Sequence, residues 1–239
     1  HIGQVSHFEK GVWKVLYPLI GEQSTGIGVG LYPSKAFLEG DAVIAETELT
    51  NAGRGRNADF LQYMRAAYLN GDYRDWDKWN FGSYKYYTPD HYVIGYIINT
   101  AVRQISENYF YPSDLLRYEV KHFYNPSVLF RAFNSVAGKS RQHFLEEGQK
   151  ILTEIWTRDL ENLGEVTTGE KVTSKDEKLY TDYRYPVYVS DTTSIYYGHI
   201  IAVKEGFEQN RSLISIDKAG KERILRPFSG YTSPLALGK

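Results

Sequence analysis

Glu39 and Glu46 stand seven residues apart in the run Phe37-Leu38-Glu39-Gly40-Asp41-Ala42-Val43-Ile44-Ala45-Glu46-Thr47. On a helix this spacing puts both carboxylates on one face, about 20° apart. Carboxylates placed this way hold a cation, orient a ligand histidine or move protons; otherwise they form a solvated acidic face. Leu38, Ala42, Ile44 and Ala45 give the helix an apolar side, and a buried carboxylate needs partners. The helical zinc pattern His-Glu-x-x-His sets two imidazoles on one face with a general-base carboxylate between them. It occurs nowhere in the 239 residues. His7 reads as an ordinary surface or core histidine. His91 and Tyr92 form a polar pair at the opening of a helix. Arg54 and Arg56 flank Gly55; such a loop binds an anion or, more commonly, pairs with a neighbouring helix.

These residues need elements to position them. A helix is expected over residues 35–48 and a second over 59–69, where Phe60, Leu61, Met64, Ala67 and Tyr68 follow helical spacing. A third opens at Pro89-Asp90-His91-Tyr92 with Thr88 as its N-cap and runs to about Glu107. A fourth begins at Pro112-Ser113 and a fifth at Pro126-Ser127, ending at Gly138. Ser140 caps a long sixth helix with a stripe of Phe144, Leu145, Ile151, Leu152, Ile155 and Trp156. Gly21 to Pro33, with Gly26-x-Gly28-x-Gly30, reads as an inserted loop. Its glycines lack the dinucleotide-binding spacing.

The texture changes near Gly164. Residues 165–179 are polar and read as a linker. Short β runs follow at 186–189, 195–204, 212–217 and 222–225, the last two joined by Lys218-Ala219-Gly220, a hairpin signal. The expected class is α+β: a mostly helical domain over 1–164, then a short antiparallel segment over 180–239. Four strands amount to one propeller blade.

Composition narrows the function classes. Net charge is -1, so no global field recruits nucleic acid. There is no cysteine, which excludes disulfides and thiolate metal sites. No apolar run approaches the roughly 20 residues of a membrane span. The Tyr84-Lys85-Tyr86-Tyr87 cluster reads as packing or a polar surface rather than a base-stacking platform. A chain that begins at His rather than Met reads as a processed or partial product.

Several motifs together resemble one family. Phe37 to Thr47, Gly53-Arg54-Gly55-Arg56, Pro89-Asp90-His91-Tyr92 and Gly95-Tyr96 are similar to a group of bacterial envelope proteins. Those carry a gluzincin (peptidase-MA-like) zinc metallopeptidase domain followed by a TolB-like β-propeller. The resemblance covers roughly 1–160 as peptidase and 180–239 as the first blade. In that group a His-Glu-x-Arg-His motif precedes a segment like Ile2-Gly3-Gln4-Val5-Ser6. The resemblance therefore implies that His1 and Glu39 are zinc ligands, with the first His and the catalytic Glu ahead of residue 1. It implies Glu46 as the group that holds a ligand His, and Tyr92 or His91 as the oxyanion donor. It further implies zinc as cofactor, a peptide or protein as substrate, and a periplasmic or exported location. Envelope partners would bind through the propeller. On this reading the chain alone is inactive. Asp41 stands where the family pattern has an apolar residue, and the distance from His1 to Glu39 is longer than in compact gluzincins. The rival reading is a non-catalytic scaffold that binds polysaccharide or protein.

Overall fold

The computed structural model describes the chain except residues 1, 32, 84–85, 126, 166, 174–178, 228–234 and 236–239, and the side chains of residues 2, 30 and 31. The described residues form ten α-helices and one four-stranded antiparallel sheet, an α+β protein. The chain divides into two compact units. One is His1–Gly82 with Thr88–Gly164; the other is Ser83–Tyr87 with Glu165–Lys239.

In the first unit, α1 (Ile2–Val5), α2 (Val12–Ile20) and α3 (Gln23–Leu31) precede α4 (Lys35–Leu49). The expected loop from Gly21 to Pro33 is thus largely helical. Gly28 serves packing there: a Cβ on it would lie 2.5 Å from the Phe8 ring. Ser34 starts α4 by accepting from the Phe37 amide at 3.2 Å. Then come α5 (Ala58–Leu69), α6 (Trp76–Asn80) and α7 (His91–Ser106). The short α6 was not anticipated; its Trp76 and Trp79 are buried. The N-cap of α7 is Asp90 rather than Thr88, because the Asp90 carboxylate accepts from the amides of Tyr92 and Val93. The series closes with α8 (Tyr111–Lys121), α9 (Val128–Ala137) and α10 (Arg141–Asn162). Pro126 lies outside the described residues. Gly138 ends α9 at φ 78°, a left-handed cap that suits glycine.

The core is centred on α7, whose Val93, Ile94, Ile97, Ile98 and Val102 are all buried. It crosses α4 at backbone contact. A Cβ on Gly40 would lie 2.1 Å from the Gly95 carbonyl carbon, and one on Gly95 would lie 1.8 Å from the Ala36 oxygen. The buried face of α4 is therefore Ala36, Phe37, Gly40, Val43 and Ile44. Of the apolar residues expected inside, Ile44 is buried, Leu38 and Ala42 are half-buried and Ala45 is exposed. The glycine crossing sets the helix rotation, and it turns Ala45 outward. On α10 the buried set is Phe144, Leu145, Gly148, Gln149 and Trp156, while Ile151 and Ile155 are exposed.

The second unit is a meander of β1 (Thr181–Tyr188), β2 (Ile200–Gly206), β3 (Ser212–Ile216) and β4 (Glu222–Pro227), in that order. Residues 195–199 form turns rather than strand. Pro186 lacks an N–H and sits at a bulge between Arg184 and Val187, on an edge strand, where a proline is tolerated. Gly220, at φ 78°, closes the tight β3–β4 connection. Side chains alternate across a sheet, so Ala202 and Val203 face opposite ways, yet both are fully buried. The central strands are thus shielded on both faces. Tyr84 and Lys85 lie outside the described residues, while Tyr87 meets Tyr180 with ring centroids 5.9 Å apart.

Candidate functional site

Glu39 and Glu46 share the face of α4 beside the buried stripe. Glu46 is engaged by the loop that follows the helix. Its Oε1 accepts from the Arg54 amide at 2.9 Å and from Arg54 Nε at 2.7 Å, and its Oε2 from Arg54 Nη2 at 3.2 Å. These hydrogen bonds hold the Glu46 carboxyl below the usual carboxylate range. The Arg54–Gly55–Arg56 loop thus pairs with its neighbouring helix. Gly53 and Gly55 let it lie against Thr47: a Cβ on Gly53 would be 2.3 Å from the Thr47 Cα. Arg56 donates to the carbonyls of Thr47 and Thr50, oxygens left open at the end of α4.

The same Arg54 lies over the Tyr92 ring, 4.5 Å from its centroid. Tyr92 in turn stacks on His91 at 4.4 Å. The start of α7 therefore stands on the Glu46 side of α4. Its other end goes elsewhere: Arg103 pairs with Glu48 at 3.2 Å. Glu48 is nine residues from Glu39, about 180° round the helix. The buried His91 Nε2 has no hydrogen-bond partner.

Of the residues singled out from sequence, Glu46, Tyr92 and His91 form one connected set through Arg54. Glu39 is on the same α4 face, about 10 Å along the axis from Glu46. His1 lies outside the described residues. Among the described residues, no group of three His, Asp or Glu side chains is placed to hold a metal ion. The described donors do not by themselves compose a zinc centre. Arg54 as the link between α4 and α7 was not legible in sequence, since the Arg54–Tyr92 contact spans 38 positions and follows from the helix crossing.

Fold and site define an α+β protein whose helical unit is built on the α4–α7 crossing. No helix among the described residues is long and apolar enough to cross a membrane. Compared with protein-family models, with curated proteins and with solved structures, the chain matches none.

Proposed function

We propose that the helical unit belongs to a gluzincin-like zinc peptidase, in which Glu39 is the metal ligand contributed by α4. The observation that carries this reading is the crossing itself. Gly40 against Gly95 sets the crossing, and Arg54 ties Tyr92, with His91 beside it, to Glu46 on the α4 face that Glu39 shares by helical period. A ligand helix crossed by a later helix with a Tyr or His donor is the arrangement that the resemblance implies. Tyr92 and His91 would donate to the oxyanion that develops on a peptide carbonyl. Arg54 fixes the Tyr92 ring and Glu46 fixes Arg54, so Glu46 acts on the donor pair rather than on a ligand His. Zinc enters through the resemblance, with His1 as the companion of Glu39. A peptide or protein substrate, an exported or periplasmic location, and a sheet serving as the first blade of a TolB-like propeller with envelope partners rest on the same ground.

A scaffold without catalysis is the second reading. It is favoured by the engagement of Glu46, whose two oxygens already serve the Arg54 pair. Metal analysis separates the two. A protein in which a His-Glu-x-Arg segment directly precedes His1 is expected to hold one zinc and to cleave peptides, and Glu39→Gln in it to lose the metal. Full zinc occupancy in the Glu39→Gln protein would remove Glu39 from the site, and zinc-free inert protein would favour the scaffold.

A further inference from the structure

On another side of α4 lies a cavity of about 400 Å³, bordered by α1, α4, α8 and the turn Ser6–Glu9. Its size is within the usual range for small-molecule sites. Asp41 marks its α4 wall and is two residues from Glu39, about 200° round the helix. Ala42, one turn from Glu46, lines the same cavity, so the cavity adjoins the face that carries the proposed peptidase residues while the Ser113–His7 wall stands across from it. On the wall formed by α8 and the turn, Ser113 Oγ and His7 Nε2 are 3.1 Å apart.

We propose that Ser113 and His7 are a nucleophile–base pair, and that this cavity is an acyl-transfer site for small carboxylic esters. A hydroxyl within hydrogen-bond reach of an imidazole is the nucleophile–base contact through which a general base activates a serine. With the ring proton on Nδ1, Nε2 accepts from the Ser113 hydroxyl. Burial holds the His7 imidazole below its ordinary value, helped by Arg117 and Lys10 and opposed by Asp114. The neutral, basic form therefore prevails at neutral pH.

The position of Ser113 adds an oxyanion site. It lies in the first turn of α8, where the Tyr111 amide donates to the Asn108 carbonyl, Pro112 has no N–H and the Asp114 amide donates to the Phe110 carbonyl, which leaves the Ser113 amide without an intrahelical acceptor. No side chain caps this helix: the N-cap is Phe110, followed by Tyr111 and Pro112. The Ser113 amide and the dipole of an eleven-residue helix favour negative charge at the carbonyl being attacked. Ala42, Ala45 and Leu116 give the cavity an apolar wall suited to a short acyl chain. Across from it, Asp41 Oδ2 accepts from Gln4 Nε2 at 2.8 Å, and burial pushes the Asp41 carboxyl up.

The step balances without a co-reactant other than water. Ser113 Oγ bonds to the ester carbonyl carbon as its proton passes to His7 Nε2. The carbon–alkoxide bond then breaks, and His7 returns the proton to the leaving alcohol. Water attacks the acyl-serine while His7 takes its proton. The acid leaves, and the proton goes back to Ser113 Oγ.

The test uses the full chain with two probes, p-nitrophenyl acetate and an alkyl fluorophosphonate, read by intact mass and peptide mapping. One adduct on Ser113 is expected, absent in Ser113→Ala. Labelling should slow by about 10²–10⁴-fold in His7→Gln, the usual contribution of a general base. It should be indifferent to chelator, which keeps it distinct from the zinc reading. Absence of an adduct on Ser113 overturns the proposal, and so does an unchanged labelling rate in His7→Gln.

Discussion

Glu119 is fully buried on α8, and neither of its carboxylate oxygens has a hydrogen-bond partner. Burial alone pushes its carboxyl from 4.5 up to about 8. The buried Tyr111 hydroxyl beside it is also unpartnered and is pushed well above its ordinary value, first by burial and then by the Glu119 charge. The folded chain therefore holds the Glu119 proton more tightly than the unfolded chain. The stability this contributes is fully present below about pH 4.5 and is lost as pH rises to about 8. The slope is about 1.4 kcal/mol per pH unit across that window. Glu119→Gln keeps the shape and removes the ionisation. Urea denaturation over that range should show a falling midpoint for the parent and a flatter one for Glu119→Gln. Parallel profiles would show that Glu119 is solvated or paired in the folded state.

At the scale of elements, the α4–α7 crossing depends on two glycines. Gly95→Ala would drive a methyl to 1.8 Å from the Ala36 carbonyl oxygen, a backbone atom that cannot rotate away. The helices must part, and overpacking of this kind typically costs about 1–3 kcal/mol or more. Separation would also draw Tyr92 from Arg54. Gly26→Ala is the matched control. It lies in α3, with nothing within 4 Å of the new methyl, and the change from Gly to Ala inside a helix should stabilise by roughly 0.5–1 kcal/mol. Thermal melts of the pair should therefore move in opposite directions. A Gly95→Ala midpoint equal to the parent's would mean that the helices do not meet at backbone contact.

At the scale of the molecule, the two units are not consecutive in sequence. Ser83–Tyr87, from within the helical part of the chain, belongs to the unit that holds the sheet. Thr167 to Val172 is exposed and carries no regular structure, the kind of segment proteases nick first. Brief trypsin treatment should cut after Lys171. Because Tyr87 stays with the first fragment while Tyr180 goes with the second, the nicked halves should still elute together in native buffer and separate in denaturant. Halves that part without denaturant would show that Ser83–Tyr87 adds nothing to the second unit.

Local signals in the sequence determined most elements of this protein. Ser140 as a helix cap, Gly138 as a helix stop and Gly220 in the last hairpin act within a few residues, so each is readable where it stands. The shared face of Glu39 and Glu46 follows from helical period alone. Tertiary structure decided which side of each helix is buried. Ala45 faces out and Ile44 in because Gly40 meets Gly95, two residues that no local pattern pairs. It also decided that Glu46 is bound to Arg54 and that Arg54 reaches Tyr92. It placed Ser113 beside His7 across 106 positions of chain. Periodicity gives an element its amphipathic pattern, but the partner that presses on it sets its rotation, and with it the company each side chain keeps.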